Sequence, residues 1–69
     1  MRLMSTEQIP RELSEVLAED QRGGRAFARL AVGDRAEYIR YVADSRIPEI
    51  RARRAALVMM NLASRADAA

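Results

Sequence analysis

The strongest structural signal in the sequence is PEIRARRAALVMMNLA, residues 48–63. It predicts a helix that begins near Pro48, because proline is tolerated in a first helical turn and disfavours helix in the residue before it. At about 100° per residue, one stripe of this helix is mainly apolar. That stripe holds Ile50, Arg54, Leu57, Val58 and Asn61, with Arg51 beside it. The opposite side is hardly polar and holds Ala52, Ala55, Ala56, Met59 and Ala63, with Met60 alongside. A helix with apolar residues on two sides is expected to pack on both, against another copy, a partner protein or a neighbouring domain.

Two shorter helices are predicted nearer the start of the chain. Apolar residues spaced three and four apart predict the first over about 10–19, with Leu13 at the start of its apolar stripe. The segment 20–24 contains Gly23 and Gly24 and predicts a turn, because paired glycines weaken a helix interior. A short second helix is predicted over 25–30, with the single phenylalanine, Phe27, in the core.

A third helix is predicted over 34–46, where Asp34 and Glu37 have the D-x-x-E spacing of a capping box. Tyr38 and Tyr41 lie together on it, either as an aromatic binding edge or as amphipathic rings at the margin of the core, and we favour the second. No segment alternates as a strand does. The sequence therefore predicts an all-α fold, a small bundle of about four short helices. The expected organisation is a flexible N-terminus (1–8), a helical domain (9–63) and a flexible C-terminal tail (64–69).

Composition excludes most catalytic chemistry. The chain has 69 residues, enough for one small domain, and it contains no cysteine and no histidine. Thiolate and imidazole catalysis, disulfides and the usual zinc ligands are thereby excluded, and we expect no cofactor and no metal site. An enzyme would have to use a cluster of carboxylates, a tyrosine and an arginine: Glu37, Asp44, Tyr38 and Arg54. We expect instead that the protein is not an enzyme.

The first ten residues lack the apolar core of a secretory signal, which predicts a cytoplasmic protein. The longest apolar run, 55–60, is far shorter than the ~20 residues that span a bilayer, so no membrane span is expected. We expect a homo-oligomer or a protein partner. The candidate interface residues are Met59, Met60 and Tyr41.

Arginine supplies all twelve basic residues, against ten acids, for a formal net charge of +2. Ten of the twelve arginines lie within 22–65, which makes weak, non-specific nucleic-acid binding the alternative function. Four arginines form a candidate anion or partner contact near the start of the last helix: Arg46, Arg51, Arg53 and Arg54. The other interpretation, which we favour, is that Arg54 snorkels or pairs with a carboxylate, which fixes how this helix docks. The carboxylates considered are Glu37, Asp44 and Glu12.

Several ordered motifs resemble one family. They are IPRELSEVLAED (9–20), AFARL (26–30), AEYIRYV (36–42) and SRIPEIRARR (45–54). Together they are similar to the C-terminal helical module of the YdeI/OmpD-associated, or bacteriocin-protection, family over about 9–62. Arg46, Glu49, Arg51, Arg53 and Arg54 fall on charged positions of the family's pattern, whereas Ile50 replaces its threonine. The resemblance implies a small all-helical module associated with bacterial protection against bacteriocins or envelope stress, without an established catalytic mechanism.

Overall fold

The computed structural model describes residues 8–68 of the chain. Within that range the chain forms four helices and no strand, which confirms the all-α prediction. The helices are α1 (Arg11–Glu19), α2 (Gln21–Arg29), α3 (Val32–Ala43) and α4 (Pro48–Ala68). The predicted flexible N-terminus, 1–8, lies outside the described residues except for Gln8.

Helix α4 is the longest element, and the other three helices all pack against it. One side of α4 supplies more than half of the buried core, and each of the other helices adds a single large side chain. The buried residues are Leu13, Phe27, Val42, Ala55, Val58, Met59 and Leu62. Among residues 8–68, no helix is long and apolar enough to cross a membrane.

The prediction of a turn over 20–24 is wrong, because α2 begins at Gln21. The Asp20 carboxylate accepts hydrogen bonds from the backbone N–H groups of Arg22 (3.0 Å) and Gly23 (3.2 Å), which caps the new helix. Gly23 is buried, and a Cβ at this position would collide with the terminal methyl group of Met59. Capping and close packing on α4 therefore outweigh the poor helix propensity of the two glycines.

The capping-box prediction for the third helix is also wrong. Helix α3 begins at Val32, two residues earlier, and its N-cap Ala31 offers no side chain to the helix start. Asp34 thus lies inside the first turn. The α2–α3 corner is fastened by Arg35 instead, whose Nη1 donates to the carbonyls of Ala28 (3.2 Å) and Leu30 (2.6 Å) at the end of α2. Helix α3 ends at Ala43 rather than at residue 46.

The buried face of α4 differs from the predicted stripe. Val58 is buried as expected, but Leu57 is 47% exposed and Asn61 is exposed. The core side instead presents Ala55, Met59 and Leu62. The centre of the observed buried face lies about 100° around the helix axis from the centre of the predicted stripe. This equals the rotation between one residue and the next. Helix α4 also continues through residues 64–68, where a flexible tail was predicted; the mobility of that segment stays a prediction.

Candidate functional site

Arg51 forms hydrogen bonds that hold the helices together. Its Nε donates to Glu12 Oε1 at 3.2 Å, and its Nη1 donates to the carbonyl of Ser45 at 2.8 Å. These bonds join α4 to α1 and to the α3–α4 connection. The hydrogen bond from Arg51 is the main reason that the pKa of the Glu12 carboxyl lies below its ordinary value of 4.5, and a hydrogen bond from the Glu12 backbone N–H adds to the effect.

Arg54 does not pair with Glu37, Asp44 or Glu12, so the carboxylate-pairing half of the prediction is wrong for the residues described. Its Nη1 donates to the carbonyl of Tyr41 at 3.1 Å, near the end of α3. Its guanidinium also lies 5.2 Å from the centroid of the Tyr41 ring, within the range of a cation–π contact. Arg51 is the arginine of α4 that pairs with a carboxylate, that of Glu12 on α1. Arg46 and Arg53 are exposed. A role for these four arginines in binding an anion or a partner stays a prediction.

An open groove of about 430 Å³ lies between α3 and α4, and we call it the tyrosine groove. Its lining residues are Asp34, Glu37, Tyr38, Tyr41, Leu57, Val58, Asn61 and Arg65. The Tyr38 hydroxyl donates to Asn61 Oδ1 at 2.5 Å and accepts from Arg65 Nη1 at 3.3 Å. These two bonds bridge the helices, so the polar groups at this end of the groove are partnered within the chain.

The candidate interface residues occupy two different environments. Met60 is 68% exposed and Tyr41 is 43% exposed, and Leu57, one helical turn before Met60, is also exposed. Met59 lies in the core, packed against Gly23, and is not accessible to a partner in this fold. Tyr41 and Leu57 line the tyrosine groove, and Met60 lies three positions after Leu57 on α4; we call these three exposed residues the apolar patch.

The catalytic candidates do not converge on one cavity. Glu37 and Tyr38 line the tyrosine groove, whereas Asp44 lies with Glu37 around a separate shallow depression. The fourth candidate, Arg54, is bonded to Tyr41. Within residues 8–68, no group of three carboxylates is placed to hold a metal ion.

A second groove, of about 400 Å³, lies between α2 and α4, and we call it the arginine groove. Four arginines line it together with three apolar residues: Arg22, Arg25, Arg29 and Arg65, with Ala26, Leu30 and Leu62. Sequence reasoning missed this site because residues 20–24 were assigned to a turn, which separated Arg22 from the helix that follows. The spacing of three and four residues along α2 was the available signal.

The chain matches the model of a known family over residues 7–65, and the family is described as bacteriocin-protection, YdeI or OmpD-associated. The chain belongs to that family. The resemblance seen in the sequence motifs is thereby confirmed, and both grooves lie within the YdeI/OmpD-associated domain. No curated protein and no solved structure matches the chain.

Proposed function

We propose that this protein is a non-enzymatic helical interaction module that pairs with a second copy of itself through the apolar patch. The observation that carries the proposal is the exposure of three large apolar side chains: Tyr41 and Leu57, which line one groove, and Met60, which follows Leu57 by three positions on α4. Exposed apolar residues that lie together are characteristic of protein–protein contacts, whereas scattered ones are ordinary.

The charges beside the patch favour a second copy as the partner. Asp34 and Glu37 line the α3 wall of the tyrosine groove, and Arg65 lines the α4 wall. Arg53 adds a further exposed positive charge on α4. In a two-fold pair each copy presents the same surface, so the acidic wall of one copy can face the basic wall of the other. Such opposed charges fix the register of an interface more than they raise its affinity.

The chemistry of the chain supports a binding role rather than catalysis. Histidine and cysteine are absent, and the Tyr38 hydroxyl is already bonded to Asn61 and Arg65. Membership of a bacteriocin-protection family supports a protective role in bacteria under bacteriocin or envelope stress. In this proposal the paired module acts in the cytoplasm by binding, and protection depends on the intact pair.

The test compares Met60→Glu with Val32→Glu. Val32 is also an exposed apolar residue, at 63%, but it lies outside the patch at the start of α3. Sedimentation equilibrium of the natural chain, extended to roughly 1 mM to include weak pairs, is expected to give twice the 7.8 kDa chain mass. Met60→Glu is expected to weaken the pair at least tenfold, because it buries an unpaired charge, and Val32→Glu is expected to leave it unchanged.

A natural chain that stays monomeric over the whole concentration range rules out self-association. Equal effects of the two substitutions would place the interface elsewhere. The protective role has its own readout, the survival of bacteria that express each variant during bacteriocin exposure. Loss of protection with Met60→Glu but not with Val32→Glu is the expected pattern.

A further inference from the structure

The arginine groove carries charge of a single sign. Its walls hold Arg22, Arg25 and Arg29 from α2 and Arg65 from α4, and no carboxylate is among the described residues that line it. The guanidinium groups of Arg25, Arg29 and Arg65 around one groove repel one another, and an anion that binds between them relieves that repulsion. The groove therefore has the electrostatic character of an anion site.

The arginines of α2 form a row rather than a ring. Residues 22, 25 and 29 are spaced by three and four positions, so they share one face of the helix. With a rise of 1.5 Å per residue, the row extends about 10 Å along the axis. Arg65 faces this row from the other helix. A linear row of cations fits a chain of phosphates better than a single phosphate ion.

Two of these arginines have their donors available. Arg25 and Arg29 are exposed, and within the described part of the chain neither forms an ion pair or a side-chain hydrogen bond. Arg65 uses one nitrogen on the Tyr38 hydroxyl, and a guanidinium has five N–H donors in total. Arg51, by contrast, already uses both sides of its guanidinium on Glu12 and Ser45.

The apolar residues of the groove distinguish between classes of polyanion. Leu62 is fully buried and Leu30 is half-buried, so they lie at the base of the groove and do not project as a membrane-inserting surface would. No aromatic side chain is among the described residues that line the groove, so base stacking is not expected to contribute. We infer that the arginine groove binds the phosphodiester backbone of a nucleic-acid strand without reading its bases. This inference does not depend on pairing through the apolar patch.

The experiment measures the fluorescence anisotropy of a labelled, random-sequence single-stranded DNA of about 20 nucleotides, titrated with the full chain at roughly 50–200 mM salt. The variant Arg25→Gln/Arg29→Gln removes two cations from the groove. The matched control, Arg11→Gln/Arg40→Gln, removes two exposed arginines that line neither this groove nor the tyrosine groove. Both pairs change the net charge equally, and circular dichroism checks that both variants keep the natural helix content.

The natural chain is expected to bind the DNA, with an affinity that falls steeply as salt rises. The groove variant is expected to bind at least about tenfold more weakly at the lowest salt. The slope of log affinity against log salt concentration is expected to be less steep by about 1.4, because two phosphate contacts on a single strand are lost. The control variant is expected to lose less than about threefold, the effect of net charge alone. Two different base compositions are expected to bind equally.

Three results overturn the inference. The first is that the natural chain fails to bind DNA at low salt. The second is that the two double variants weaken binding equally, which makes net charge the cause. The third is that the chain sediments with phosphatidylglycerol vesicles and leaves DNA unbound. Sedimentation equilibrium of the groove variant distinguishes a failure of this inference from a failure of the proposed pairing. The variant is expected to show the same mass as the natural chain, because its substitutions lie outside the apolar patch.

Discussion

The tyrosine groove and the arginine groove both lie against α4, and they differ in which charged and hydrogen-bonding groups remain available to a ligand. In the tyrosine groove both signs of charge are present, and the Tyr38 hydroxyl is hydrogen-bonded to both Asn61 and Arg65. In the arginine groove the charges have one sign, and Arg25 and Arg29 have no ion pair among the described residues. A surface with both signs can face a copy of itself. A surface with one sign repels its own copy and needs a different ligand, so different partners are proposed for the two sides of α4.

The largest difference between the grooves is expected in how far the truncation of an apolar residue lowers the free energy of unfolding. Leu62 is fully buried below the arginine groove, whereas Leu57 is 47% exposed beside the tyrosine groove. Leu62→Ala should lower the free energy of unfolding by about 2–5 kcal/mol, because it leaves a cavity in the core. Leu57→Ala should cost less than about 1 kcal/mol. Urea unfolding measures both, and similar losses would show that α4 is rotated from the orientation described.

The glycines at the starts of α2 and α3 give the next contrast. Gly23→Ala should destabilise the fold by about 1–2 kcal/mol, since the new methyl group displaces the enclosed end of Met59 and the gain in helix propensity only partly offsets that cost. Gly33→Ala meets no atom within 4 Å and should stabilise the fold by about 0.5–1 kcal/mol. Thermal unfolding should thus shift in opposite directions. A stabilising Gly23→Ala would contradict the close approach of α2 to α4.

Arg51 and Arg53 separate an arginine used for folding from one that is exposed. Arg51→Gln removes the Glu12 ion pair and weakens the bond to the Ser45 carbonyl, so it should lower the free energy of unfolding measurably. Arg53→Gln should change stability by less than about 0.5 kcal/mol. Equal losses in urea unfolding would mean that the geometry at Arg51 does not stabilise the protein.

Acid titration gives the smallest of these effects. Because Arg51 lowers the folded-state pKa of Glu12, the Glu12 carboxylate stabilises the fold above its ordinary pKa of 4.5, and this contribution is lost as pH falls through the lowered value. The stability difference between the natural chain and Glu12→Gln should therefore be present at neutral pH and disappear at strongly acid pH. Unfolding curves at several pH values measure it. A difference that grows on acidification has the wrong sign and would exclude the ion pair.

Local patterns in the sequence were sufficient for the fold class and for part of the core. Leu13 and Phe27 were placed correctly, because apolar spacing and the single phenylalanine are local signals. The start of α2 was not predictable in this way, because its glycines are accommodated by an Asp20 cap and by Met59, which lies far along the chain. Tertiary packing decides such cases, and local propensity does not register it.

The candidate sites were less accessible to sequence reasoning, because they depend on the rotation of α4. Arg51 and Arg54 are both close to the predicted apolar stripe, and spacing alone does not say which one reaches Glu12. The same rotation moves Met59 into the core and leaves Met60 outside. The arginine groove requires in addition that Arg65 meet the α2 row, which is a contact between distant parts of the chain.

The most direct test of the two-groove account is to map the backbone amide NMR shifts of the isotope-labelled full chain during titration with the same single-stranded DNA. We expect the shift changes to be concentrated at Arg22, Arg25, Arg29 and Arg65, with Tyr41, Leu57 and Met60 unaffected. Changes centred on the start of α4, around Arg51 to Arg54, or on the apolar patch would contradict it.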